Sequence, residues 1–198
     1  MKKSKIILIT NQKGGVGKST LAFNLANNIK KDCKVAILDL DVQGSLTQIA
    51  SLNPSLEIIT YQDKIENIKS LKYDFIFIDT PPYLLDKIDE LYRLSDIIII
   101  PTKASAFDLF AMQNMIEKIK ELSLESKTMI LFNMMKHNTL LNQDIHDQVK
   151  EFGIEIANTK ISDLVSFSKS VLLQGLEDHQ KAQKQIDSLT KEILIKLV

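Results

Sequence analysis

The apolar positions of this chain alternate between short continuous runs and segments with helical spacing. The runs are rich in isoleucine and lack strict polar–apolar alternation, which is typical of strands that are buried on both faces. Five such runs cover residues 5–10, 35–39, 74–79, 96–101 and 128–133, and a further strand is expected within residues 154–161.

Apolar residues spaced three or four positions apart occupy the intervals between these runs and predict helices. They are Leu21, Leu25 and Ile29 after the first run, residues 84–94 before the run at 96–101, and Phe107, Phe110, Met115 and Ile119 after it. The tail predicts a helix near residues 163–173. A last helix carries one apolar stripe, Ile186, Leu189, Ile193, Leu194 and Leu197, which we expect to pack on the core rather than on a membrane. Strand and helix in repeated alternation predict an α/β fold: a doubly wound, mostly parallel sheet with helices on both faces.

Composition narrows the class of protein. The 198 residues are 44% apolar and 25% charged with zero net charge, and no repeat or linker divides them, so we expect one soluble domain spanning residues 1–198. No apolar run approaches the roughly 18 residues of a spanning helix, and no signal peptide is evident, so a cytoplasmic location is expected. Cys33 is the only cysteine, which excludes an intramolecular disulfide and a thiolate-rich metal site. Arg93 is the only arginine, so any catalytic cation is expected to be a lysine.

A glycine-rich loop follows the first predicted strand and leads into the first predicted helix. This context, with Gly-Lys-Ser-Thr at the helix entry, predicts a phosphate-binding loop whose backbone N–H groups point at phosphate oxygens. Lys18 would reach the β- and γ-phosphates and the Ser19 hydroxyl would bind Mg²⁺. The predicted nucleotide-binding residues are Gly14, Gly15, Val16, Gly17, Lys18, Ser19 and Thr20.

One departure from the standard loop pattern is informative. Gln12 stands where a glycine is usual, and Lys13 follows it, so that the loop reads Lys-Gly-Gly-Val-Gly-Lys-Ser-Thr. This sequence resembles the deviant phosphate loop of the ParA/MinD family of ATPases. The resemblance implies that Lys13 is a catalytic lysine that reaches the nucleotide of the partner subunit in a dimer, where other nucleotide hydrolases use an arginine.

The resemblance extends to two further motifs. Residues 35–45 are similar to the family's second motif, except that Val42 replaces a usual proline. This similarity implies that Asp39 helps to hold the Mg²⁺ water shell and that Asp41 positions the attacking water. Residues 75–82 form an apolar strand that ends in Asp79 and a Thr-Pro-Pro turn, which is similar to a Walker B element in which Asp79 binds Mg²⁺ through water.

The base of the nucleotide and the biological role of the protein are also inferred from this resemblance. Asn133 follows an apolar strand as does an adenine-contacting asparagine in several relatives, and the chain has no guanine-reading Asn-Lys-x-Asp motif. The expected ligands are therefore ATP and Mg²⁺. Because the phosphate loop begins at residue 13, we expect no preceding helix-turn-helix, as in short ParA-type partition ATPases.

The resemblance to short ParA-type partition ATPases implies a specific set of partners. They are a second copy of the chain in an ATP-bound homodimer, nonspecific DNA, and a centromere-binding or adaptor protein that stimulates hydrolysis; the ATP-bound form would be nucleoid-associated. Lys160 and Lys169 are candidate DNA-binding residues. Two alternatives stay open: a MinD-like membrane-associated positioning ATPase, and a soluble metabolic or maturation enzyme of the same superfamily. The nitrogenase iron-protein branch is excluded, because its cluster needs two cysteines from each subunit.

Overall fold

The computed structural model describes residues 3–41, 46–83, 86–136, 141–172, 175–176 and 179–198, with residues 141–144 described by their backbone alone. Residues 42–45 of the second motif, residues 84 and 85 of one predicted helix and residue 173 of another lie outside this set. The strands within the described ranges are β1 (Lys5–Ile9), β2 (Val35–Asp39), β3 (Glu57–Thr60), β4 (Phe75–Asp79), β5 (Ile97–Thr102), β6 (Thr128–Phe132) and β7 (Glu155–Ile156).

These strands form one parallel sheet in the order β3-β2-β4-β1-β5-β6-β7. The central strand β1 lies between β4 and β5, so the order of connection reverses beside it. In open α/β sheets this reversal leaves a crevice at the carboxyl ends of the strands, where ligands bind. The register places Asp79 directly beside both Ile9 and Asp39, so the ends of β1, β2 and β4 meet at this crevice.

Helices cover both faces of the sheet, as the sequence predicts for a doubly wound fold. They are α1 (Lys18–Ile29), α2 (Ile88–Leu94), α3 (Ala106–Glu121), α4 (Leu141–Lys150), α5 (Val165–Lys169) and α6 (Gln180–Lys196). Ile7 and Ile9 of β1 join a core with α1 and α6, whereas Ile6 and Leu8 join a second core with α2, α3 and α4. Because successive strand residues point to opposite faces, burial on both sides explains the continuous apolar runs.

The sheet differs from the prediction in two regions. The short edge strand β3 was not predicted, and only Glu155 and Ile156 of the expected strand at 154–161 pair with the sheet. Between Ala157 and Ile161 the backbone leaves the ladder with β6, and the N–H groups of Asn158 and Thr159 donate instead to the Glu192 carboxylate of α6, at 2.8 Å each. The Ile161 N–H then returns to β6 and donates to the Phe132 carbonyl at 3.0 Å. The predicted helix at 163–173 is likewise represented in the described residues by the five residues of α5.

The apolar face of α3 also differs from the prediction. Phe107 and Phe110 are 81% and 67% exposed, whereas Leu109, Met112 and Ile116 lie in the core. Ser105 sets this rotation, because it caps the helix by accepting a hydrogen bond from the Asp108 N–H at 3.2 Å. The structure therefore leaves two aromatic side chains on the outside of α3.

Helix α6 packs on the core through most of its predicted stripe. Ile186, Leu189 and Ile193 are buried, while Leu194 is partly exposed. No helix in the described ranges combines the length and apolar character needed to cross a bilayer.

Helix α1 is tied to the C-terminal third by asparagines. The Asn24 Nδ2 group donates to the Ser170 hydroxyl at 2.9 Å, and the Asn28 Nδ2 group donates to Thr190 of α6 at 3.1 Å. The Gln183 Nε2 group of α6 donates back to Asn28 Oδ1 at 2.9 Å. The helix that carries the phosphate loop at its start is thus hydrogen-bonded to two later segments.

Candidate functional site

The glycine-rich loop curls at the carboxyl end of β1 and passes directly into α1. Gly15 and Gly17 have φ values of 68° and 89°, in the region that favours glycine. A Cβ at Gly17 would lie 2.4 Å from Asn133 Nδ2, so this position also needs glycine for space. Because α1 begins at Lys18, its unpaired N-terminal N–H groups add positive potential beside the loop.

Lys18 places a buried cation in this loop. Its ammonium group donates to the Lys13 carbonyl at 3.3 Å. Burial lowers the pKa of Lys18, and the negative charges of Asp79 and Asp41 oppose that change. Lys18 is therefore poised beside two carboxylates at the place where the sequence predicts phosphates.

Asp79, at the end of β4, is fully buried, and neither of its oxygens accepts a hydrogen bond of normal geometry from the described residues. Burial raises its pKa to about 7; the Ser19 side chain and the Lys18 charge lower it, while Asp39 and Asp41 raise it. Burying a carboxylate that accepts no hydrogen bond costs free energy, and a bound cation beside it offsets that cost. Asp79 together with the Ser19 hydroxyl thus fits a hard divalent cation such as Mg²⁺.

Asp39, at the end of β2, organises the loop that follows it. One carboxylate oxygen accepts the Asp41 N–H at 3.1 Å, and the other accepts the N–H groups of Leu46 and Thr47 and the Thr47 hydroxyl, each at 3.1 Å. Its predicted role in a metal water shell stays a prediction. What the structure shows is a carboxylate that fixes the backbone of Asp41.

Asp41 is partly exposed and acts electrostatically on both Lys18 and Asp79. The structure therefore brings together Lys18, Ser19, Asp41 and Asp79, as the sequence predicts. Its predicted role in positioning water stays a prediction.

Lys13 has a partner that the sequence analysis missed. Its ammonium group forms an ion pair with Asp108 Oδ1 at 2.9 Å, and the Asp108 side chain is 3% exposed. Asp108 lies in the first turn of α3, where its other oxygen accepts a short hydrogen bond from the Ser105 hydroxyl. The pattern Ser105-x-x-Asp108 is a local helix-start signal, but nothing local links it to the phosphate loop. Within a single subunit, Lys13 is therefore held by α3.

Asn133 lies against the phosphate loop at the end of β6. Its side-chain amide donates to the Val16 carbonyl at 2.7 Å, and the residue is 5% exposed. Of the two candidate DNA-binding lysines, both are exposed; Lys169 ends α5, and the Lys160 ammonium lies 5.9 Å from the ring centroid of Phe132. Their DNA-binding roles stay predictions.

Sequence comparison places the chain among nucleotide-binding proteins. The family model for the CobQ/CobB/MinD/ParA nucleotide binding domain matches residues 7–174. The maintenance of carboxysome distribution protein A of Halothiobacillus neapolitanus is 23% identical, with 97% of each chain covered. A ParA family protein of Mycoplasma pneumoniae is 26% identical, with 96% of this chain and 97% of the relative covered.

Solved structures show the same fold. A plasmid partition protein of Borrelia burgdorferi bound to AMPPNP superposes with a TM-score of 0.80 at 23% identity, covering 99% of this chain and 100% of the other. The ATP complex of a Cyanothece McdA variant superposes with a TM-score of 0.78 at 17% identity, covering 98% and 97%. These matches confirm the phosphate-loop NTPase fold, and the family model covers well over half of the sequence. The chain therefore belongs to the CobQ/CobB/MinD/ParA family of nucleotide-binding proteins.

Proposed function

We propose that this protein is a ParA-type partition or positioning ATPase. It hydrolyses ATP with Mg²⁺, dimerises when ATP is bound, and holds nonspecific DNA in that state until a partner protein stimulates hydrolysis. The observation that carries the proposal is the cluster of Lys18, Ser19, Asp41 and Asp79 around the loop, with Lys13 as a second cation at its start.

The residues divide the chemistry among them. The loop N–H groups and Lys18 bind the β- and γ-phosphates of ATP. Ser19 and Asp79 would hold Mg²⁺, with Asp39 supporting its water shell; when bound, the ion neutralises charge on the transferred phosphoryl group. Asp41 orients a water molecule that attacks the γ-phosphorus, and the bond to the β-phosphate oxygen breaks to give ADP and phosphate.

Lys13 makes ATP hydrolysis depend on a second subunit. Its ion pair with Asp108 occupies the ammonium group within one subunit. For Lys13 to reach a nucleotide across a dimer, that ion pair must open, so that dimerisation would exchange an intramolecular carboxylate for a phosphate of the partner's nucleotide. A single subunit would then hydrolyse ATP slowly.

Support for a DNA-associated role comes from the relatives, which include ParA family proteins and a plasmid partition protein. Positioning of another cargo is equally consistent with the carboxysome distribution protein. Both tasks use the same nucleotide switch, and the cargo depends on the partner.

The decisive experiment measures binding of the Asp41→Ala protein to random-sequence duplex DNA with ATP and with ADP across a salt series. Loss of hydrolysis should preserve the ATP-bound state, so we expect binding with ATP only, weakening steeply as salt rises. Adding Lys169→Ala should reduce this binding. Lys72→Ala is the matched control, because Lys72 is also exposed but precedes β4, at the end of the strands opposite to the phosphate loop.

Two results would contradict the proposal. Equal DNA binding with ATP and ADP would remove the nucleotide switch. Absence of DNA binding, together with ATP-dependent binding to anionic lipid vesicles, would favour the membrane-associated alternative; the exposed Ile195 near the end of α6 is the side chain to test there.

A further inference from the structure

Asn11 lies at the exit of β1, between the sheet and the phosphate loop, and only 1% of its surface is exposed. The ladder between β1 and β5 ends at the pair Ile9 and Ile99, where the Thr10 N–H donates to the Ile99 carbonyl at 3.0 Å. Two residues further along the same edge of β5, the Pro101 carbonyl accepts a hydrogen bond from Asn11 Nδ2 at 2.9 Å. The Asn11 side chain thus takes the place of the next backbone donor of the ladder, which frees the main chain to enter the loop.

The other polar atom of Asn11 fixes the start of the loop. Asn11 Oδ1 accepts the Lys13 N–H at 2.8 Å, which closes a local turn around Gln12. The amide has one orientation, because the Lys13 N–H can only donate and the Pro101 carbonyl can only accept. Asn11 therefore fastens the Lys13 backbone to the end of β5.

The ion pair between Lys13 and Asp108 depends on the end of β5 at both of its partners. The chain runs from Pro101 at the end of β5 into α3, whose first turn carries Asp108. The Lys13 ammonium approaches Asp108 Oδ1 to 2.9 Å from the phosphate loop. Because Asn11 holds the Lys13 backbone on Pro101, both partners are held relative to the same strand end. Asn11 thus sets the point from which the Lys13 side chain extends.

The backbone of Lys13 is held more firmly than its side chain. The Lys13 N–H is bound by Asn11, and the Lys13 carbonyl accepts the Lys18 ammonium at 3.3 Å. The Lys13 side chain is 33% exposed and meets Asp108 through its terminal ammonium group. A long, partly exposed side chain can change its rotamers without moving its backbone. If the ion pair opens in the proposed dimer, only the side chain has to move.

We propose that Asn11 is a positioning residue for Lys13: it anchors the Lys13 backbone to β5, so that the ammonium group alone moves between Asp108 and the nucleotide of a second copy of the chain. The movement between subunits rests on the proposed function, whereas the anchor is a property of the single subunit. The residues predicted to bind the phosphates begin at Gly14, so the anchor acts on hydrolysis and not on nucleotide affinity.

Unfolding of the nucleotide-free protein tests the anchor independently of ATP hydrolysis. Asp108→Asn breaks the ion pair, and the resulting shift of the urea midpoint is compared in the unaltered protein, in Asn11→Ala and in the milder Asn11→Ser. If Asn11 holds Lys13 in place for Asp108, the shift should fall to less than about half in Asn11→Ala, because the effects of coupled groups are not additive. Asn28→Ala, which removes two hydrogen bonds near the other end of α1, is the matched control and should leave the shift unchanged. Equal shifts in all backgrounds would overturn the inference.

Phosphate release tests the role of the anchor in hydrolysis. Asn11→Ala should bind Mg²⁺-ADP within about threefold of the unaltered protein, yet its maximal rate at saturating ATP should fall at least about tenfold, since a displaced catalytic group costs rate and not ground-state affinity. Asn11→Ser keeps an oxygen that can accept the Lys13 N–H, so it should recover part of the rate.

Three results of the rate measurement would overturn the inference. They are a full rate in Asn11→Ala, a loss of ADP affinity as large as the loss of rate, and a rate in Asn11→Ser no higher than in Asn11→Ala. Absence of ATP hydrolysis by the unaltered protein would instead overturn the proposed function, and the unfolding comparison would then decide the anchor by itself.

Discussion

Asp79 is the residue whose substitution gives the sharpest quantitative prediction. Its pKa rises from 3.8 to about 7 on folding, chiefly because burial removes the carboxylate from water. The folded protein therefore holds this proton more tightly than the unfolded chain does. This contribution to stability is fully present below about pH 4 and is lost as pH rises through 7.

Asp79→Asn removes the ionisation while keeping the shape of the side chain. The two pKa values imply that the variant gains about 3 kcal/mol more stability relative to the unaltered protein at pH 8 than at pH 5. The gain should develop mainly between pH 5 and pH 7, where the unfolded carboxylate is charged and the folded one is being forced to ionise.

Urea unfolding at pH 5, 6, 7 and 8, in EDTA and without nucleotide, measures this difference. Asp63→Asn is the control, because the Asn67 side chain and the Lys64 N–H hold the pKa of exposed Asp63 below its usual value. That variant should lose stability at neutral pH and not at acid pH, the opposite sign. An Asp79→Asn gain that is the same at pH 5 and pH 8 would refute the account of Asp79 as a carboxyl group whose pKa is raised by burial.

Four other substitutions test the phosphate loop and the ion pair beside it. Lys18→Ala should weaken ATP binding at least about a hundredfold in a nucleotide titration, because the phosphates lose their buried cation; retained affinity would contradict its role. Gly17→Ala should reduce the free energy of unfolding by about 1–3 kcal/mol, since φ is 89° and a Cβ would clash with Asn133, whereas Gly153→Ala at φ 67°, with open space, should cost less; equal costs would disprove the clash. Asp108→Asn should cost about 1–3 kcal/mol in chemical unfolding by breaking the ion pair with Lys13, and a change near zero would show that this pair adds nothing. Lys13→Ala should bind ATP normally and lose partner-stimulated hydrolysis in a phosphate-release assay; normal stimulation would remove Lys13 from the mechanism.

The strands that were predicted share one physical property. β1, β2, β4, β5 and β6 are buried on both faces, so their sequences read as continuous apolar runs. The edge strand β3 contributes only Ile58 and Ile59 between polar residues, and both are partly exposed, so its sequence carries a weak signal. Edge strands need fewer apolar residues because one side has no neighbour.

The features of the candidate site also differ in whether the sequence could predict them. The phosphate loop could be read from sequence because its function depends on consecutive backbone N–H groups and adjacent side chains. The Lys13–Asp108 ion pair and the hydrogen bond from Asn11 to Pro101 depend on how distant segments meet, which no local pattern encodes. The outward direction of Phe107 depends likewise on the helix start at Ser105 rather than on spacing alone.

The asparagines on α1 have a mechanical consequence. Apolar surfaces tolerate sliding past one another, but the hydrogen bond from Asn24 to Ser170 and those between Asn28 and α6 are satisfied in only one register. If α1 moved along its axis relative to α6 and Ser170, these hydrogen bonds would therefore be strained or broken. Helix α1 therefore couples the phosphate loop at its start rigidly to the segment around Lys169 at its side.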